Sequence, residues 1–183
     1  MHSCLSPCGD ELMTPNNIVN MALIKGLDII AVCDHNTARH LPAIARVAEE
    51  AGLPLLPGME ITTAEEVHLL AYFSSVDKAL EFSDYIYPHL PPIPNRPEFF
   101  GEQTLLDSED EPVGTEPRLL LTALNLTIGQ LTRDINAAGG LAVPAHINRG
   151  ANGLLVNLGM LPPDEHFAAL EVSNAVPAPD CDT

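Results

Sequence analysis

Apolar and polar positions fall in blocks along this chain that predict alternating strands and helices. Thr14-Pro15 puts a hydroxyl N-cap before a proline at the first helical position, so a helix is predicted to about Lys25, closed by Gly26. The apolar run Leu27 to Cys33 reads as a buried strand that delivers Asp34-His35 at its end. A second helix is predicted from about Leu41 to Ala51, stopped by Gly52. Leu53 to Leu56 reads as a short strand, and Pro57-Gly58 as a turn leading into Met59-Glu60. Val67 to Phe73 is a third strand, with His68 near its beginning rather than its end. This alternation predicts an α/β sheet with parallel pairings.

The second half is less regular. A helix is expected near Asp77 to Tyr87, then a proline-rich and acidic stretch from Pro88 to Pro117. Between Glu98 and Glu116 stand seven acids and no Lys or Arg, which reads as a solvated insertion. Glu116 to Leu124 looks helical. Thr127-Ile-Gly-Gln130 fits a capping box and opens a helix through Ala138, ended by Gly139-Gly140. Leu141 to Ala145 then forms a strand delivering His146, and Ala168 to Val172 is the last strand expected. The expected organisation is one domain over 1–176 with the insertion at about 88–117, and a frayed tail over 177–183.

Composition narrows the partners. A formal charge of −17 argues against non-specific nucleic-acid binding and against an anionic membrane surface. It leaves a phosphorylated substrate open, because bound divalent cations would reverse the sign locally. Every apolar run is too short to span a bilayer, and no basic leader opens the chain, so a cytoplasmic location is expected. Cys4, Cys8, Cys33 and Cys181 form no CxxC pair and are expected as free thiols. Cys4 and Cys8 lie near His2 and could join a metal site there, although buried or loop thiols without a role are the preferred reading.

The candidate chemistry lies in His2, Asp34, His35, Glu60, His68 and His146, most of which follow a short apolar run. Residues just after strand ends converge on one rim of a β/α fold, and imidazoles with carboxylates suit Zn, Mn or Fe, or Mg where water completes the shell. Each residue has a plainer explanation alone: an N-cap, a surface carboxylate, a satisfied core histidine. Together they point to a multinuclear hydrolytic site. Arg149, three residues after His146, is within reach of an anion beside a metal.

The segments His2-Ser-Cys-Leu-Ser-Pro-Cys-Gly-Asp, Ala-Val-Cys-Asp34-His35-Asn36, Pro-Gly-Met-Glu60-Ile-Thr-Thr, Glu-Val-His68 and Pro-Ala-His146-Ile-Asn-Arg149 resemble the PHP (polymerase and histidinol phosphatase) domain. The resemblance implies a distorted (β/α)7 barrel with two or three divalent metals at its rim. It also implies a metal-dependent phosphoesterase acting through a metal-bound hydroxide on a phosphomonoester, a nucleotide or an oligonucleotide end. By the same resemblance His2, Asp34, Glu60, His68 and His146 are metal ligands, with Glu60 bridging. His35 then binds or positions the substrate, and Arg149, which is not a universal residue of the family, is assigned with it to the catalytic set as a phosphate binder.

Two departures qualify this. The first histidine of the family's His-x-His pair and its strand would precede Met1, and no Asp-x-His follows His166; Asp164-Glu-His166 is a poor substitute. The barrel is therefore expected to be incomplete or open. Its free edges at Leu27–Cys33 and Ala168–Val172 invite association into a homo-oligomer, unless the chain is part of a longer one. The alternative function is a degenerate remnant that acts as a structural or interaction module. A zinc hydrolase for C–N bonds is a third reading, disfavoured because neither Lys25 nor Lys78 ends a predicted strand.

Overall fold

Helix α1 (Pro15–Ile24) starts as its sequence dictates: Thr14 Oγ1 accepts from the Asn17 N–H, and Gly26 follows at φ 67°. Strand β1 (Ile30–Val32), helix α2 (Leu41–Glu50), strand β2 (Leu55–Thr62), strand β3 (His68–Tyr72) and helix α3 (Val76–Ile86) follow. A 3-10 turn at Tyr87–His89 leads into the short helix α4 (Pro97–Phe100) and a hairpin of β4 (Thr104–Leu106) and β5 (Pro112–Thr115). Helix α5 (Ile128–Ala137), with the expected capping box, strand β6 (Leu141–Pro144) and helix α6 (Leu154–Leu158) complete the order. The computed structural model describes Met1–Asn174; the expected tail and Cys181 lie outside the described residues.

The main sheet has four strands in the order β1-β2-β3-β6. Only β1 and β2 are parallel; β2–β3 and β3–β6 are antiparallel, which corrects the expectation of parallel pairings. The loop between Thr62 and His68 is too short for a parallel crossover, so β3 has to turn back along β2. Among the described residues no closed barrel is found, and the sheet is open. Alternation along β2 sends Met59 and Ile61 into the core with Leu69 and Ala71 of β3. Glu60 and Thr62 take the other face. Buried side chains of α1, α2, α3 and α5 join the same core. No helix among the described residues is long and apolar enough to cross a membrane.

Four segments differ from their sequence patterns. The first strand is short, because Leu27 and Ile29 are exposed before Ile30 enters the sheet. Pro57-Gly58 is no turn but the middle of β2. Glycine is needed there for close approach: a Cβ on Gly58 would lie 2.8 Å from the Tyr72 ring and 2.9 Å from the Ala71 carbonyl oxygen. Glu116 to Leu124 is not helical, because the buried amide of Gln103 takes its backbone groups. Gln103 Nε2 donates to the carbonyls of Glu116 and Arg118, and its Oε1 accepts from the Leu120 N–H. Ala168 to Val172 forms no strand, although the Glu171 N–H donates to the Pro144 carbonyl at the end of β6 and the Glu171 carbonyl accepts from the Ile147 N–H beyond it.

The acidic stretch is only partly solvated. Asp110 accepts from Thr14 Oγ1 and from the backbone and side-chain amides of Asn16, so a carboxylate sits at the start of α1. Glu116 is buried and receives Arg39 Nη1 at 2.7 Å and the Tyr87 hydroxyl at 2.9 Å. These bonds fasten the segment to the helices beside the sheet.

Asn36 joins β1, β2 and the strap after the hairpin. Its Oδ1 accepts from the Thr62 N–H, and its Nδ2 donates to the carbonyls of Leu120 and Thr122. Its backbone is left-handed, at φ 53°, which asparagine tolerates better than alanine. Asn36→Ala strands buried backbone groups, so urea unfolding should show a loss of roughly 2–4 kcal/mol. A loss near zero would remove Asn36 from this role.

Candidate metal centre

The site is built along one end of the sheet. Glu60 lies near the C-terminal end of β2, and the β1–β2 ladder continues past β1 so that His35 stands directly beside it. His68 opens β3. Because β3 runs antiparallel, its beginning lies on the same rim as the end of β2, which explains a histidine at the wrong end of its strand. His68 faces Thr62 and is the diagonal neighbour of Glu60 on the same face. On the far side His146 follows β6 with a left-handed backbone at φ 30°, its N–H held by Glu171 Oε2 at 3.0 Å. On the near side Met1 pairs with the backbone of Ala31 and Cys33, which places His2 next in line.

The result is a row of rings in the order of the strands. His2 stacks on His35 at 4.5 Å between centroids, His35 meets His68 at 5.0 Å, and His68 meets His146 at 5.3 Å. The Glu60 carboxylate serves all four. Its Oε2 lies 3.1 Å from His2 Nε2 and 3.8 Å from His35 Nε2; its Oε1 lies 3.2 Å from His68 Nδ1 and 3.4 Å from His146 Nε2. The same residues, with Cys8, Leu121, Arg149, Ala151 and Asn152, line a cleft of about 520 Å³, wide enough for a nucleotide-sized ligand.

Burial alone would raise the Glu60 pKa, but the His146, His2 and His68 rings set against its carboxylate hold it far below the usual carboxylate range. His35 goes the other way: burial disfavours its charged form and holds its pKa at about 3, against a pull from Glu60. For His2, burial is outweighed by the hydrogen bond and charge of Glu60, so its pKa is raised. The metal-free row therefore carries Glu60 as an anion, His35 as a neutral ring and His2 as a ring that keeps its proton more readily than a free imidazole.

These side chains fit a divalent cation. The Nδ1 atoms of His2, His35, His68 and His146 are all buried without a hydrogen-bond partner. His68 Nδ1 is close to Glu60 but lacks hydrogen-bond alignment. Buried imidazole nitrogens normally find partners, and four orphans around one carboxylate are the donor set of a metal site. His35, Glu60 and His68 bring ligand atoms within 4.8 Å of one another, and so do His2, Cys8 and His35.

Asp34 takes another part. Its carboxylate accepts from the Ser3 N–H and Ser6 Oγ through Oδ1 and from Ser3 Oγ through Oδ2, at 2.6 to 2.8 Å. Ser6 Oγ in turn accepts from the His35 N–H. His40 extends the network: its Nε2 accepts from the Leu106 N–H, so its Nδ1 carries the proton and donates to Ser3 Oγ. Burial lowers the His40 pKa, in keeping with a neutral ring. The sequence pattern holds no sign of this serine network, since Ser3 and Ser6 look like loop residues. Arg149 is exposed at the mouth of the cleft, and Asp164 and His166 lie outside its lining.

No family model matches the chain. A stretch of 60 residues is 33% identical to a 5'-3' exoribonuclease of Haemophilus influenzae, covering 33% of this chain and 22% of that protein. A stretch of 61 residues is 36% identical to the 5'-3' exoribonuclease Rnm of Salmonella typhimurium, covering 32% and 21%. The matches thus span about a fifth of the length of these two curated relatives. Among solved structures, one from Bifidobacterium adolescentis assigned as a metal-dependent phosphoesterase superposes with a TM-score of 0.60 at 21% identity, over 93% of this chain and 74% of that one. Endonuclease Q of Pyrococcus furiosus superposes with a TM-score of 0.67 at 19% identity, over 97% of this chain and 42% of that one. The chain shares the fold of these two structures.

A cation bound at this row has to displace the proton on His2 but none from His35. Affinity should therefore fall as the pH drops through the raised His2 pKa. Calorimetry in two buffers of different ionisation enthalpy should show proton release near pH 7, reduced in His2→Gln. Equal release from both chains would refute the protonation pattern.

Proposed function

We propose that this chain is a metal-dependent phosphoesterase domain that hydrolyses a terminal phosphate ester of a nucleotide, an oligonucleotide end or another phosphomonoester. One observation carries the reading: four imidazoles with unpartnered buried Nδ1 atoms surround a single carboxylate on the floor of an open cleft that also holds Arg149. His2, His35, Glu60, His68 and His146 would hold the cations, two or three in number, drawn from Zn, Mn, Fe or Mg. Bound divalent cations lower the pKa of water and polarise phosphoryl oxygens.

The chain's own residues do the rest. Glu60 supplies the negative charge that lets like-charged ions sit close together, and its four ring neighbours keep it ionised. His35 is neutral well below physiological pH, so it acts as a ligand or acceptor and not as an imidazolium acid. Arg149 meets the phosphate at the mouth of the cleft, where its guanidinium can bond two oxygens at once. Asp34 orients the loop that carries His2 and is a positioning residue in this reading. The exoribonuclease and endonuclease names among the relatives favour a nucleic-acid end. The charge of −17 argues for gripping that end and not a long duplex. A cytoplasmic location would keep Cys4, Cys8 and Cys33 as the free thiols they are.

Turnover of p-nitrophenyl phosphate, a mononucleotide and a 5′-phosphorylated oligonucleotide should be followed with added Mn or Zn, together with elemental analysis. Chelation should abolish turnover and metal should restore it. Removing groups that only support a metal ligand costs 10–100-fold, so Glu60→Gln should cost more than about 100-fold. Arg149→Ala should raise KM about 10-fold with a smaller change in kcat. A metal-replete chain inert on all three substrates would favour the structural-module alternative.

Met21 and Ile24 of α1 and Leu27 and Ile29 before β1 form an exposed apolar edge, and we propose that a second copy covers it. Sedimentation equilibrium should give a dimer that Ile24→Glu dissociates; a monomer of the unaltered chain would rule this out.

A further inference from the structure

Among the described residues, Cys8 is the one thiol that the cleft exposes. Cys4 and Cys33 are buried, and all three are free. Cys8 lines the cleft with the ring row, and its Sγ, a His2 nitrogen and a His35 nitrogen lie within 4.8 Å of one another. That distance places three donors around a common point, at the opposite end of the row from His146.

The thiol sits on a fixed loop. The Ser6 N–H donates to the Ser3 carbonyl, and the Gly9 N–H to the Ser6 carbonyl at 2.7 Å. Gly9 presses on Ser3 so closely that a Cβ there would fall 2.1 Å from the Ser3 carbonyl oxygen. Ser3 and Ser6 are anchored on Asp34, and Ser6 on the backbone of His35. One buried carboxylate thus ties Cys8 to two of the rings it faces. A second observation is independent of the thiol. The His35 side chain is only 5% exposed, lines this cleft, and keeps a buried Nδ1 without a partner.

We infer that Cys8 is a metal ligand, its thiolate holding a divalent cation together with His2 and His35 at one end of the ring row. Binding transfers the thiol proton to solvent and forms one metal–sulfur bond. The inference rests on the reading of the row as a metal centre and goes beyond it by adding a soft donor. A thiolate with two imidazoles selects zinc or its cobalt analogue over magnesium or manganese, so this end of the row should differ from the harder carboxylate end around Glu60.

Cobalt(II) loading of the full chain tests it. The unaltered protein should show visible d–d bands and a near-ultraviolet sulfur-to-cobalt charge-transfer band. Cys8→Ser should lose the charge-transfer band, retain d–d bands from the remaining ligands, and bind zinc at least about 10-fold more weakly with manganese affinity little changed. Cys4→Ser should keep the band, and Cys8→Asp should bind metal without it. Cobalt d–d bands without charge transfer in the unaltered chain, or charge transfer that survives Cys8→Ser, would overturn the assignment of Cys8 alone. Absence of any cobalt binding would overturn the metal reading of the whole row, and this inference with it.

Discussion

A carboxylate held ionised beneath the surface of an open sheet is the constraint around which this molecule is arranged. Glu60 sits on β2, with β1 on one side and β3 on the other, and it cannot be stable there without donors or positive charge. The sheet brings those donors from both directions: His2 and His35 from one flank, His68 and His146 from the other. His35, His68 and His146 arrive because a strand starts or stops on that rim, and His2 because Met1 pairs with the backbone of Ala31 and Cys33. The neutral His35 ring leaves the charge of Glu60 unbalanced, and the raised affinity of His2 for a proton is the metal-free remedy. A cation is the more complete one.

Asp34 solves a different problem, which is how the loop beside His2 is held against the sheet. The position of His2 depends on the pairing of Met1 with Ala31 and Cys33 and on the loop that runs from Ser3 to Gly9. Ser3 and Ser6 bond the Asp34 carboxylate, His40 bonds Ser3, and Leu106 of the hairpin bonds His40. The acidic segment thereby supports the site from behind, and Asp110 repeats the arrangement at the start of α1. A segment that composition marks as solvated is fixed to the fold through a few of its polar side chains.

The elements readable in the sequence are those whose signals are local. Thr14-Pro15, the Thr127–Gln130 capping box and the glycines after α1, α2 and α5 give helix limits close to those observed. His2, His35, Glu60, His68 and His146 are identifiable through their motifs, and they converge. The features that sequence hides depend on partners distant along the chain. Pro57-Gly58 has turn composition, yet the pressure of Tyr72 makes it strand; Glu116 to Leu124 has helical composition, yet Gln103 claims its amides. Strand direction is hidden because apolar runs carry no polarity, and a histidine at the start of β3 is the available sign that this strand runs backwards. Asp34 reads as a ligand in the sequence, and the serines that bond its carboxylate, about thirty residues earlier in the chain, leave no signal there.

The charge of the whole molecule bears on how such a site would work. With a formal charge of −17, the protein repels a phosphate at long range, and among the described residues Arg149 is the only Lys or Arg that lines the cleft. Glu60 adds a further negative charge at its floor. In the proposed phosphoesterase, a phosphate ester would have little reason to dwell there until cations had reversed the local sign, which would make metal binding a precondition for substrate binding as well as for chemistry. The same field that discourages the anion attracts the cation. Acidity that looks unsuited to a phosphoesterase thus favours an order of events in which the ions enter first and the phosphate meets an already positive floor.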